Sequence, residues 1–582
     1  MKEKYLRNAA FAALSILLAL IAWEMGFQRF AIGATRWIVI GFCGGLGLTI
    51  GWLFSPHAKS LRRVFMWGAL ALLMLMAFTA NRHVGDGLAS FLSCVAFTMG
   101  FGYWLGSAAK GFLEKPVTFG SAEWATADYL RDNDLVGDDG LRLGAFPDKE
   151  ASLPVQYAGD RHLLTVAPTR SGKGVAAIIP NLLTYRGSVL VIDPKGENAL
   201  ITAKARAAMG QDIHIVDPWG IARDAGAASR FNPLDWLDAG DLDITENAML
   251  LADALVVPDE GGDRFWIEEA KALLQGLILY VATDEHEADN RHLGRVRDLL
   301  LLDGEEMPQL FWRMANSMHH VVASTGTRSL QKEEKLLANV IASAQAQTHF
   351  LDSPRLRESL SASDFKFEDL KSKPTTIYLT LPADRLTAFG RWLRLLIQQA
   401  ITVNARDIAT KPAKPVLFIL DEMPALGRLA MVEQAFGLMA GFGMQLWGIV
   451  QDLGQLKRIY GDAYEGFIAN AGAVSYFGSR DRMTADYFSA LCGVTTVWNL
   501  SSAISRAFSS GQGGGSNSSS TSENTSAVQR KLAFPDELMR LPAHKQLVFI
   551  ENHHPISAVK VRWYQDPALM HLGRNLLLGD GA

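Results

Sequence analysis

Apolar and polar positions along this 582-residue chain change their rhythm at about residue 112. Before that point lie four apolar runs, 8–23, 37–54, 64–80 and 87–107, separated by short polar loops. Each approaches the ~20 residues that span a bilayer core as a helix. None holds an Asp, Glu, Lys or Arg, so nothing in them marks an ion or proton path. One such run suits a buried core helix, and the first alone suits a signal peptide, but four in succession fit neither reading. Residues 1–112 are therefore predicted to be a transmembrane region of four helices.

Past residue 116, short runs rich in Val, Ile and Leu alternate with helical stretches. Strands are expected over 162–167, 188–193, 212–217, 375–381, 416–422, 446–451 and 473–478, with 546–551 and 557–564 near the end. Continuous apolar runs suit parallel strands covered on both faces, and the alternation predicts a doubly wound α/β sheet. The alternation breaks between about 240 and 370. Apolar positions there recur at three and four residues, predicting helices over 268–280 and 330–346. An all-α domain, 241–370, is thus expected to be inserted between two parts of one sheet domain, 113–240 and 371–582. At 509–526 the chain reads SSGQGGGSNSSSTSENTS, a composition that cannot bury a core and is expected to form a flexible loop.

Charge adds an orientation. The chain carries 56 Lys/Arg and 60 Asp/Glu, for a net −4. Residues 1–115 hold 11 cations and four acids, whereas the remainder holds 45 cations and 56 acids. Lys2, Lys4 and Arg7, then Lys59, Arg62 and Arg63, then Lys110 and Lys115 fall in alternate loops, which puts the N-terminus and the whole body in the cytoplasm. The acidic body has no global basic footprint, so any contact with DNA must be local. The three cysteines, Cys43, Cys94 and Cys492, are far apart, which excludes a disulfide scaffold and a zinc site.

Two segments carry nucleotide chemistry. The strand HLLTVA runs into Pro168-Thr169-Arg170-Ser171-Gly172-Lys173-Gly174, and a helix is expected over 175–183. In a strand–loop–helix, backbone N–H groups and the helix dipole face an anion. Thr169, Arg170, Ser171, Gly172, Lys173, Gly174 and Val175 are the predicted nucleotide cradle, with Lys173 reaching the β- and γ-phosphates of ATP. The usual pattern fails twice, with Ala167 for the first Gly and Gly174 for the magnesium-binding Ser/Thr. The second segment, VLFILDE, is an apolar strand ending in Asp421 and Glu422. Asp421 is expected to hold Mg²⁺ through its water shell, and Glu422 to activate the attacking water. Gln451, ending the next strand, is expected to position water or sense the γ-phosphate, the alternative being a helix cap. Asp193 ends a strand at the same sheet edge with a less defined role. By residues alone this is a membrane-anchored P-loop ATPase.

These segments resemble the TraG/VirD family of type IV secretion coupling proteins. Gly120–Ala125 is similar to the segment after that family's anchor, and 167–183 to its Walker A region, including the Gly where other P-loops have Ser/Thr. VIDPKGEN (191–198), FNPL (231–234), Phe265-Trp266 through Gly276, LDEMPALG (420–427), 440–443, 451–455, Tyr460-Gly461 and LAFPDELMRLP (532–542) match further blocks. The resemblance implies a RecA-like core and a hexameric ATPase in the bacterial inner membrane. Such proteins receive relaxase-bound DNA or effector proteins and pass them to the secretion channel. Two anchor spans are common in the family, against four read here. The stretch 437–441 lacks the arginine that reaches a neighbouring site in related motors. Arg391, Arg394, Arg480 and Arg482 stand as alternatives. Two other readings compete. One is a double-stranded DNA translocase of the chromosome-segregation type, which should add a Pro/Gln-rich linker and a winged-helix module. The other is a passive membrane scaffold, opposed by the intact Lys173, Asp421, Glu422 and Gln451.

Overall fold

The structure, a computed structural model, describes residues 119–148, 152–257, 264–509 and 516–576. The four expected spans lie outside the described residues. Among those described, no helix is long and apolar enough to cross a membrane.

The described residues divide into two compact units, 122–494 with 531–576, and 119–121 with 495–530. The larger unit is built on an 11-stranded mixed sheet. Its strands in chain order are β1 (Leu141–Phe146), β2 (Leu153–Tyr157), β3 (His162–Val166), β4 (Val189–Asp193), β5 (Asp212–Val216), β6 (Thr375–Thr380), β7 (Val416–Leu420), β8 (Met444–Val450) and β9 (Ala471–Tyr476). After β10 (Val494–Ser509) and β11 (Ser516–Lys531), which form a separate two-stranded ribbon, come β12 (Lys545–Ile550) and β13 (Ile556–Val559). The spatial order is β2-β1-β13-β12-β9-β3-β8-β7-β4-β6-β5. From β9 to β5 all neighbours are parallel, whereas β12, β13, β1 and β2 add antiparallel strands at one side.

The apolar runs explain the parallel half. Leu164, Val166, Leu190 and Ile192 face one core, and Leu163, Val189 and Val191 the other. Successive strand residues point to opposite faces, so a strand buried on both sides is apolar at most positions, and its buried polar exceptions, such as His162, Thr165 and Asp193, are hydrogen-bonded. Strand β7 stops at Leu420, short of the expected 422, because Glu422 turns the chain in the left-handed region (φ 55°). The helix after the phosphate loop opens with a wide π-turn, Gly174–Ile178, before the α-helix Ile179–Thr184. Pro180 has no N–H to close an α-helical bond onto Ala176, which favours the wider turn.

Between β5 and β6 the chain forms helices. Arg264–Thr283, which contains the expected 268–280, packs on Ile244–Leu255 and Glu334–Thr348. The single helix expected at 330–346 is two, His320–Gln331 and Glu334–Thr348, broken where Lys332 and Glu333 adopt extended ψ angles. At 509–526, where a loop is expected, Ser516–Lys531 is extended and paired with β10. Backbone hydrogen bonds form such a ribbon whatever the side chains bury. Strands β1 and β2 have no counterpart in the sequence reading.

Candidate nucleotide site at the ends of the parallel strands

Strand β3 lies between β8 and β9, and β8 lies between β3 and β7. The C-terminal ends of β3, β8 and β7 therefore stand side by side, which is where an open α/β sheet gathers its ligand groups. Register is fixed by pairs such as Leu163 with Trp447 and Phe418 with Leu446, and the Trp447 indole donates to Thr165 Oγ1 at 2.9 Å.

The phosphate loop follows β3. The Ala167 amide donates to the Val450 carbonyl (2.8 Å), and the Ser171 amide closes a turn on the Pro168 carbonyl (3.0 Å). Arg170 (φ 62°) and Gly172 (φ 92°) both take positive φ, so the loop bends back over the helix start. Thr169 and Arg170 are exposed, and Ser171 through Val175 are half-buried. The Ser171 hydroxyl is buried with no hydrogen-bond partner. A Cβ on Gly174 would meet nothing within 4 Å, so there is open space where other loops carry a hydroxyl.

The Lys173 ammonium joins the two motifs. It lies 2.8 Å from Asp421 Oδ1 and 2.5 Å from Glu422 Oε1. The Gln451 amide donates to the other Glu422 oxygen at 3.2 Å. Burial acts to lower the Lys173 pKa, but the two carboxylates outweigh it and hold it above its ordinary value. Burial lifts Asp421 above the usual carboxylate range, against the pull of Lys173. Asp193 is fully buried at the end of β4. It accepts the Ala199 amide (2.9 Å), and burial raises its pKa to about 7. The expected group thus assembles from three separate segments. The helix cap after β8 is Asp452, which accepts the Gln455 amide at 2.7 Å, leaving the Gln451 side chain for Glu422.

The four arginines differ. Arg394 is buried and donates to the carbonyls of Ala254, Leu426 and Arg428, which ties it inside the fold. Arg391 bonds Gln347 (2.9 Å), Arg482 pairs with Asp486 (3.3 Å), and Arg480 is exposed.

The residues that support the loop carry no role in the sequence analysis: Asn181 lies inside the block similar to Walker A, and Lys560 lies in no motif. Asn181 is buried in the loop's helix and exchanges two hydrogen bonds with the Arg142 backbone on β1 (2.8 and 2.9 Å). Lys560, just past β13, donates to the Ser171 carbonyl at 3.2 Å. Val175, Ile179 and Leu183 pack on Trp563 and Leu569. The only signal in the chain was the PN pair inside the helix and a lysine ending an apolar strand.

A phosphate loop on a parallel strand, with an acid pair two strands away, defines a RecA-like P-loop fold. Residues 119–576 match the family described as Type IV secretory system Conjugative DNA transfer, and the chain belongs to that family. Protein VirD4 of Agrobacterium fabrum (strain C58 / ATCC 33970) is 30% identical over 419 residues, 71% of this chain and 60% of that protein. Conjugal transfer protein TraG of Escherichia coli is 27% identical over 463 residues, 74% of this chain and 71% of its own length. The chain thus spans about 60% of the VirD4 relatives it matches. Among solved structures, plasmid coupling protein TrwB in complex with ADP and Mg²⁺ has the same fold, with TM-score 0.56, 16% identity, and 77% and 96% of the two chains covered.

Proposed function

We propose that this chain is the membrane-anchored coupling ATPase of a type IV secretion system. In that reading it recruits relaxase-bound DNA or effector proteins and drives them into the secretion channel by hydrolysing ATP. The observation that carries the reading is the Lys173 bridge to Asp421 and Glu422, with Gln451 on the same carboxylate. Family membership supports it over the chromosome-segregation translocase. The likeness to TrwB, solved with ADP and Mg²⁺ and with the ATP analogue ADPNP, supports the nucleotide.

The residues fit magnesium as they fit ATP. Asp421 is the carboxylate that would hold the ion, the space at Gly174 is open, and the Ser171 hydroxyl on the same loop is buried without a partner. Magnesium favours such a site because it keeps several waters and binds through one or two carboxylates plus substrate phosphates. When bound, it would neutralise charge on the phosphate oxygens. The chain's own groups do the rest. Residues Thr169 to Val175 cradle the phosphates, with loop amides other than that of Ser171, which closes the turn on Pro168. Lys173 offers a fixed positive charge. Glu422 takes a proton from the attacking water, and Gln451 holds that carboxylate in line.

The 1–112 segment is proposed as a four-span anchor in the inner membrane, with the body in the cytoplasm and six copies forming a ring. Arg480 and Arg482 are the exposed arginines available to a neighbouring copy. Purified Lys173→Ala should lose ATP turnover and substrate transfer while still inserting in the membrane. Phosphate release at the wild-type rate would refute the assignment.

A further inference from the structure

Lys560 belongs to none of the nucleotide motifs, yet it touches the phosphate loop. Its ammonium donates to the Ser171 carbonyl (3.2 Å) and to the Phe477 carbonyl (3.1 Å), and lies 4.6 Å from the Phe477 ring centroid. Phe477 follows β9, and its amide donates to Val166, the last residue of β3, at 2.9 Å. One lysine thus joins the ends of β3, β9 and β13.

We propose that Lys560 is a positioning residue that sets the orientation of the phosphate loop. This rests on the reading of that loop as the nucleotide site. The Ser171 carbonyl and the Gly172 N–H belong to one peptide unit. In a planar trans peptide these two groups point in opposite directions. Holding the carbonyl on Lys560 turns the Gly172 N–H to the far side, away from the C-terminal segment and toward the helix start where an anion binds. Among the described residues no acceptor takes that N–H. The hold matters because Gly172 sits at φ 92°, where a glycine has many alternatives and the peptide before it can rotate. Release of the carbonyl would let the peptide flip and aim oxygen, rather than N–H, at phosphate.

The surroundings suit a tuned donor. Burial, with Arg562 nearby, lowers the Lys560 pKa to about 8. The side chain lines a cleft of about 470 Å³ shared with Arg142, Ala176, Pro180, Arg562 and Leu569. That space admits the larger guanidinium of an arginine, which carries donors for both carbonyls.

The test uses the purified full-length chain in detergent, titrated with a fluorescent ADP analogue and Mg²⁺, beside its thermal unfolding temperature. Lys560→Met should bind about tenfold more weakly, as expected for one charge-assisted hydrogen bond. Lys560→Arg should stay within about threefold of wild type, and both should unfold near the wild-type temperature. Lys560→Gln keeps polarity without the charge and reach. It should also lose affinity at least about fivefold, so a Met variant that folds poorly does not end the test. Wild-type affinity in the Met or Gln variant overturns the proposal. So does an Arg variant that binds as weakly as the Met variant. Lys173→Ala separates the two levels. If it binds like wild type, the nucleotide reading falls and this inference falls with it. If it loses binding while Lys560→Met keeps it, only the role of Lys560 is wrong.

Discussion

The two halves of the sheet contribute to the site in different ways. The parallel half, β9 to β5, supplies the charged groups Lys173, Asp421 and Glu422 at its strand ends. The antiparallel half, β12, β13, β1 and β2, supplies no reacting group. It holds the loop in place through the Arg142 backbone on β1, bonded to Asn181, and through the Lys560 ammonium, bonded to the Ser171 carbonyl. The parallel half decides which chemistry is offered, and the antiparallel half decides how well the loop is aimed.

Substitutions can break or sharpen this division. The largest effect should come from the parallel half. Glu422→Gln keeps the shape and removes the base, so steady-state phosphate release should fall about a hundredfold while nucleotide affinity holds. Asp421→Asn should instead weaken Mg²⁺-dependent binding, about tenfold in the same titration. Equal losses of affinity in both variants would merge the two roles.

Next comes the antiparallel half. Gly144 on β1 has φ 110°, and a Cβ there would stand 2.8 Å from the Val559 carbonyl, beside Lys560. Gly144→Ala should cost on the order of 2 kcal/mol in chemical unfolding. It should also weaken nucleotide binding although it touches no motif. Lost stability with unchanged affinity would uncouple this half from the loop.

Asp193 gives a pH-dependent effect. Its folded pKa is raised from 3.8 to about 7, so the folded protein holds that proton more tightly than the unfolded chain. The stabilisation is complete below about pH 4 and is lost as pH rises through 7. Asp193→Asn should therefore gain on wild type between pH 5.5 and pH 8, by roughly 2 kcal/mol in unfolding free energy. A constant difference across that range would show that the carboxylate is not held neutral. The smallest effect is expected at Gly174. Serine fits the open space there. Gly174→Ser should fold normally and lower the Mg²⁺ needed for half-maximal nucleotide binding a few-fold.

The two halves also differ in how far they could be read from sequence. Strands β3, β4 and β7 are legible because burial on both faces makes most of their residues apolar. The loop is legible because a phosphate cradle needs small residues beside a lysine. In β1, Leu141-Arg142-Leu143-Gly144, the polar positions and a glycine mask the strand. Its pairing with β13, at Ala145 and Val559, depends on residues more than four hundred positions away in the chain. Lys560 was invisible for the same reason. Its partners are main-chain carbonyls, and no side-chain pattern records a carbonyl. The turn at Glu422 is a local conformation that the acids themselves do not announce.

The placement of β3 also bears on how the protein is made. Its two neighbours are β8 and β9, so Leu163 waits for Trp447 and Ala473. At ~5–20 residues per second, synthesis from residue 162 to residue 476 takes roughly 15 to 60 s. Until β8 is made the phosphate loop hangs from a strand with no sheet on either side, and until β9 is made one side of that strand stays open. A nascent chain ending before β8 holds neither neighbour of β3 nor Gln451. The phosphate loop therefore gains its full sheet setting only after residues 444–476 have emerged, long after the loop itself is made.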